Sequence, residues 1–225
     1  MPQSRPRLFI VAVRADAAGA IARTQPSPGW ASAALVRAQA GLLPSLKEGW
    51  RWWDVPAPPV RACTLGDVLE PEPAGVKWHT PAETARLVAM MSSPNREKLR
   101  QAQAAGRPVA GTIYRRTRPD ETGRKVQRAE VRFDGVAGCL RTPGGGSSRQ
   151  TVILVDGAAV RTRLLSPREA ARLMGLPEAY ALPANYNEAY HLLGDGVAVP
   201  VVRFLAAGLL AALLDAGRAY QVAAE

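Results

Sequence analysis

Cysteine is nearly absent. The 225 residues hold two, Cys63 and Cys139, and two histidines. The cysteines stand far apart and match no metal-ligand spacing, which excludes a zinc finger or ribbon and leaves no disulfide framework. A reduced, cytoplasmic protein without a metal is the simple inference. Nothing reads as a leader. The apolar run at 8–13, LFIVAV, is too short for a signal core and is followed by Arg14 and Asp16. The very apolar stretch from Val197 to Leu214 is interrupted by Pro200 and Arg203 and lacks flanking anchors. It reads as a buried helix and not a membrane span. Internal repeats are absent. Lysine is scarce, with four against 25 arginines, and aromatic residues make up 6% of the chain.

What is present is a core and a basic surplus. At 47% hydrophobic residues the chain is not disordered, and its length suits one ordinary domain or two small ones. The net charge is +10. Such a surplus suits a polyanionic partner, although GC-rich coding also enriches arginine. The surplus is concentrated: residues 96–132 hold eleven basic and four acidic side chains. That localisation favours nucleic-acid binding over composition alone.

Along the chain, residues 7–14 (RLFIVAVR) read as an interior strand of a parallel or mixed sheet. Residues 15–62 read as irregular, with Trp30, Trp50, Trp52 and Trp53 packing a small core or offering a base-stacking platform. Thr64 to Leu69 is a short element. Thr80-Pro81-Ala82-Glu83 is a capping box opening a helix, and Asn95 is expected to cap a second, polar one running to about Ala105. GTIYRRT and RAEVRF flank the turn PDETG as a hairpin. Arg141 to Gln150 is a glycine-rich loop, suited either to close approach by a ligand or to a flexible connection. The strand TVILV follows. Ser166-Pro167-Arg168-Glu169 is a second capping box, and a long apolar helix is expected from Val199 to Ala216.

Three separated strings carry a family resemblance. PQSRPRLFIVAVR at 2–14, RLLSPREAARLMGLPEAY at 163–180 and YHLLGDGVAVPVV at 190–202 resemble, in order, the eighth, ninth and tenth conserved motifs of the DNA (cytosine-5) methyltransferases. A variable stretch of roughly 150 residues separates the first two, where that family keeps its target-recognition domain. The resemblance implies an α/β fold: the C-terminal part of an S-adenosylmethionine-dependent methyltransferase, the end of a doubly wound sheet, with an α+β target-recognition domain. Residues 1–20 would close the catalytic sheet, 21–190 would form the recognition domain, and 191–225 would return to the catalytic domain. Such enzymes flip a cytosine out of the duplex. A cysteine thiolate adds to C6, the methyl group passes to C5, and elimination restores the ring.

By position, the resemblance places Gln3, Arg5 and Arg7 in a Gln-x-Arg-x-Arg motif. Arg7 is expected at the flipped base and its phosphate, where a guanidinium gives a fixed, permanently charged fork. Gln3 and Arg5 are expected at DNA, with Arg115, Arg116 and Arg118 of the hairpin and Thr142, Gly144, Gly145, Ser147, Ser148 and Arg149 of the glycine loop. Arg163, Arg168 and Glu169 are expected to brace the recognition domain. Asp195, Gly196 and Val197 match the turn that closes the S-adenosylmethionine pocket. Asp195 stands where the family commonly has Asn, and an ionised Asp cannot donate to the methionine carboxylate.

The 225 residues hold no Phe-x-Gly-x-Gly cofactor loop, no Pro-Cys and no Glu-Asn-Val. Cys63 follows Ala62, and Cys139 follows Gly138. The expectation is therefore a DNA-recognition half in the bacterial cytoplasm, at the nucleoid, inactive until complemented. A split enzyme with a partner polypeptide and a truncated or mis-started gene product both fit. The alternative is a non-enzymatic DNA-binding module. The partner in every case is double-stranded DNA. The strand at 7–14 and the last helix are expected to expose apolar surface when alone.

Overall fold

The computed structural model describes residues 1–14, 21–27, 29–142 and 149–215. Its elements in chain order are β1 (Ala22–Arg23), α1 (Ala33–Ala40), α2 (Pro44–Gly49), β2 (Trp52–Trp53), a 3-10 turn (Gly66–Val68), α3 (Pro81–Ala89) and α4 (Ser93–Gln103). Then come β3 (Val109–Pro119), β4 (Lys125–Arg132), β5 (Thr151–Asp156), β6 (Ala159–Leu164), α5 (Pro167–Leu173), α6 (Tyr186–Asp195) and α7 (Val199–Leu205), which runs into a π-helical turn (Ala206–Leu210). The chain folds as two compact units, one of Met1–Pro6 with Arg61–Val199, the other of Arg7–Val60 with Pro200–Glu225. The boundaries expected after residues 20 and 190 do not coincide with these.

The first unit is built on a four-stranded antiparallel sheet in the order β4-β3-β5-β6. The two-residue period of the strands sorts its side chains. Ile113, Ala129, Val131, Ile153 and Val155 face Leu87 of α3, Met91, and Leu99 and Ala102 of α4. Each large aliphatic side chain so buried contributes about 1.5–3 kcal/mol. A further buried set lies around α5 and α6: Leu140, Leu165, Leu173, Met174, Ala189, Tyr190 and Leu193.

Both expected capping boxes are present. Thr80 and Glu83 bond reciprocally at the start of α3, and Ser166 and Glu169 do so at α5. The Thr80 backbone N–H and hydroxyl hold the Glu83 carboxyl below the usual range. The hairpin is also present, with β3 and β4 joined in register from Thr112↔Arg132 to Pro119↔Lys125. Asp120 Oδ1 accepts the Thr122 hydroxyl and the N–H groups of Thr122 and Arg124, which fixes the turn. Asn95 is not a cap. Ser92 is the N-cap of α4. The Asn95 amide instead donates to Ser92 Oγ at 3.0 Å and accepts the Val131 N–H at 3.0 Å, tying α4 to the β4 edge.

In the second unit, Val55, Leu209 and Leu213 form a small core with Val11, Ile21, Trp30, Trp53 and Phe204 against it. Trp30 and Trp53 thus pack a core, as one of the two readings of the tryptophans held. The stretch expected to be irregular contains α1, capped by Ser32, and α2, which starts at Pro44. The strand expected at 7–14 joins no ladder among the described residues. A strand needs neighbouring donors and acceptors to be one, and here Leu8 is 62% and Ile10 74% exposed. The apolar helix is buried on one side only: Leu209 and Leu213 are buried, while Val202, Leu210 and Leu214 are exposed. The stretch Tyr186–Asp215 has the length and apolarity of a membrane span. It is interrupted at Gly196, where the backbone turns extended (φ −60°, ψ 161°). The chain is therefore a mixed helix-and-sheet protein. Its longer sheet is antiparallel, and no parallel doubly wound sheet stands among the described residues.

Candidate nucleic-acid interface

Past Ile113 the β3–β4 hairpin leaves the core, and residues 115–119 are exposed. The register sets Tyr114 opposite Glu130, Arg116 opposite Arg128 and Arg118 opposite Val126. Tyr114, Arg116, Arg118, Arg128 and Glu130 therefore share one face. Like charges placed directly opposite each other tend to destabilise a strand pair, and Arg116 stands opposite Arg128 here. Glu130 offsets part of the charge, with Arg116 Nε at 3.3 Å and Arg118 Nη2 at 3.1 Å. The Arg116 guanidinium lies over the Tyr114 ring, 5.0 Å from its centroid. Arg115 alternates to the opposite face, opposite Ala129. The expected trio is thus a pair, Arg116 and Arg118, with Arg115 apart from it.

At the root of this face lies a cleft of about 360 Å³ lined by Tyr114, Arg116, Arg132, Gly138, Arg141 and Gln150, among others. Arg132 is bound to Asp134, and that hydrogen bond holds the Asp134 carboxyl below its usual range.

Gln3 and Arg5 are not at a nucleic-acid surface. Gln3 is buried. Its Nε2 donates to Leu173 O at 2.9 Å and its Oε1 accepts the Leu140 N–H at 3.1 Å. Arg5 Nη1 donates to Leu140 O at 2.6 Å and lies 3.3 Å from Cys139 Sγ, while Nη2 donates to Gly194 O at 2.9 Å and Gly196 O at 2.6 Å. A cation so placed satisfies carbonyls at the end of α6 and complements its dipole. Gln3 is buried and Arg5 partly buried, and the polar groups of both are bonded within the protein.

The ends of the glycine loop are anchored on α6. The Thr142 hydroxyl bonds Asp195, and Arg149 bonds Asn187 while its guanidinium lies 5.4 Å from the Tyr186 ring centroid. Gly194 permits the first anchor: a Cβ there would stand 2.7 Å from Thr142 N. Gly144, Gly145, Ser147 and Ser148 lie outside the described residues. Burial pushes the Tyr186 hydroxyl up to about 12 and the Tyr190 hydroxyl higher still. Tyr186 donates to Leu165 O, and Tyr190 accepts the Gln150 N–H.

Arg163 and Glu169 form a buried bidentate pair at 2.6 and 2.7 Å. Glu169 also receives the N–H groups of Ser166 and Glu70, and Arg163 reaches Glu70 O. Arg168 is exposed and donates to Tyr180 O at 3.0 Å. Arg163 and Glu169 are thus joined inside the protein, and Arg168 lies at its surface. Arg7 is exposed and belongs to the second unit.

Comparison with known proteins settles the family. Residues 1–211 match the sequence model of the C-5 cytosine-specific DNA methylases. The chain belongs to that family. Among similar methylases, the Type II methyltransferase M.NlaX of Neisseria lactamica is 39% identical over 61 residues, 27% of this chain and 20% of that protein. M.HhaI of Haemophilus parahaemolyticus is 38% identical over 73 residues, 32% of this chain and 21% of that protein. M.HpaII of Haemophilus parainfluenzae is 34% identical over 83 residues, 31% of this chain and 23% of that protein. The aligned part thus spans about a fifth of each of these relatives. The methylase family acts in DNA methylation, and these relatives are bacterial methyltransferases of restriction–modification.

C-5 methylases use S-adenosylmethionine. The residues expected to hold it do not fit. Asp195 is a carboxylate engaged by Thr142, the Gly196 N–H donates to Leu192 O, and the Gly196 carbonyl takes Arg5. Val197 is exposed. A carboxylate in that position repels the cofactor's own carboxylate. Among the described residues there is no metal-binding cluster of His, Cys, Asp and Glu. Tyr114, Arg128 and Arg132 of this face are not among the expected residues, and Arg141 and Gln150 enter the expectation only as the ends of the glycine-rich loop. Strand alternation gives Tyr114 from the sequence; nothing local gives Gln150.

Proposed function

We propose that these 225 residues form the DNA-recognition half of a cytosine-5 methyltransferase and grip duplex DNA through the β3–β4 hairpin. The observation that carries this reading is the facing pair Arg116 and Arg128 on an exposed hairpin. Two guanidiniums set opposite each other repel, and a phosphate backbone turns that repulsion into attraction. Arg118 extends the same face along β3.

The chemistry falls to a further segment, on this or a separate polypeptide. Cys63 and Cys139 are half-buried cysteines outside any disulfide and without a preceding proline, and Cys139 Sγ lies against the Arg5 guanidinium. The same segment would complete the S-adenosylmethionine site that Asp195 does not supply. It would also cover the exposed Leu8, Phe9 and Ile10. In the assembled enzyme Arg7 faces the flipped cytosine. The protein acts in the bacterial cytoplasm, at the nucleoid.

The test is duplex binding measured against salt. Neutralising Z phosphates gives a log–log slope of about −0.9Z. Arg116→Ala with Arg118→Ala is expected to weaken binding and to flatten the slope by about 1.8. An unchanged slope refutes the hairpin as the contact surface.

A further inference from the structure

Gln150 precedes β5 and lines the cleft beside the basic hairpin face. The residue is 1% exposed. Its backbone is fully used: the N–H donates to Tyr190 Oη at 3.0 Å and the carbonyl accepts the Leu165 N–H at 3.1 Å. Its side chain is not. Neither Nε2 nor Oε1 has a hydrogen-bond partner among the described residues. Buried amides are normally paired, because an unmade bond forfeits hydration without return. An amide with both ends idle therefore calls for a ligand.

Its neighbour fixes where that amide stands. A Cβ added to Gly138 would lie 2.9 Å from both Nε2 and Oε1, so glycine at 138 leaves the amide room. Around it stand Arg116, Arg132, Arg141 and Lys98 against one acid, Glu130, with Tyr114 beside them. The cleft, about 360 Å³, has room for the edge of a base and the phosphate next to it. Cations suit the phosphate. The amide suits a partner that shows an acceptor next to a donor. Adenine shows N7 beside N6–H₂ in the major groove, and a glutamine pairs with both. Guanine, with two acceptors there, wants an arginine or lysine instead.

We propose that Gln150 is a specificity-determining residue, reading one adenine edge of the target site from the floor of this cleft. The inference rests on the reading of the hairpin face as the DNA surface and names one base it recognises.

The test is selection from a library of duplexes with a randomised core, bound by the 225-residue chain, with the bound fraction sequenced. The wild-type chain is expected to enrich adenine at one position by roughly 5- to 150-fold over other bases. Gln150→Leu is expected to lose that preference alone, with its salt slope intact, and to melt at a higher temperature because an unpaired polar group is gone. Gln150→Glu, an acceptor only, is expected to move the preference at that position towards cytosine. An enrichment profile unchanged in folded Gln150→Leu overturns the inference alone, and so does an equal loss at every position. A wild-type chain with no affinity for any duplex overturns the DNA-surface reading, and this inference with it.

Discussion

Replacing Arg163 by methionine is expected to loosen α5 sharply. Arg163 and Glu169 have side chains 1% and 0% exposed, and the guanidinium meets both carboxylate oxygens. Removing one partner of a buried pair costs about 3–5 kcal/mol, since the other charge stays buried. Here the Glu169 carboxylate keeps the Ser166 N–H at 2.8 Å and the Glu70 N–H at 2.7 Å. Those two donors place the cost near the lower bound, about 3 kcal/mol. Native-state hydrogen exchange of the α5 amides would then quicken about 150-fold. The melting temperature would fall by about 6–12 °C. Arg163→Met with Glu169→Leu removes both charges and is expected to cost less than Arg163→Met alone. It does not return to neutral, because the capping box goes with Glu169, at about 1 kcal/mol. If the double variant loses as much as the two single variants together, the pair is not coupled and the reasoning fails.

Three further outcomes are expected. Glu130→Gln releases Arg116 and Arg118 and should tighten duplex binding about two- to five-fold, read by fluorescence anisotropy at fixed salt; weaker binding would make Glu130 a positioning group for the arginines. Arg5→Ala leaves the carbonyls of Leu140, Gly194 and Gly196 without their cation and should cost about 2–4 kcal/mol, read by denaturant titration. Tyr186 is neutral in the folded chain up to about pH 12 but ionises near pH 10 when unfolded. The unfolded state therefore holds fewer protons between those values, and stability falls as pH rises through that window. Tyr186→Phe should remove part of that alkaline loss in a pH-dependent melt, and an identical pH profile would exclude Tyr186 as its source.

What the sequence made legible was local. The boxes at Thr80 and Ser166 each close within four residues, and the turn at Asp120 bonds its own neighbours. The Gln-x-Arg-x-Arg string was legible as a family mark but not as a set of contacts. Arg5 finds its partners more than 130 positions away, in the 139–140 segment and at the end of α6. Gln3 does the same with Leu140 and Leu173. A run of arginines at 115–118 looked like one cluster because charge was counted without the pleat, which sends Arg115 to the other side. Residues 7–14 have a strand's composition, yet composition cannot provide the neighbour a ladder requires. Asn95 resembles a cap by type, but Ser92 lies closer to the first turn and the amide is spent on Val131.

Thr142 and Arg149 rest on Asp195 and Asn187 of the same helix, eight positions apart. At 1.5 Å per residue those footholds stand about 12 Å from one another along α6. Substitutions at Asp195 and at Asn187 are therefore expected to release the two ends one at a time, since each end has its own partner on the helix.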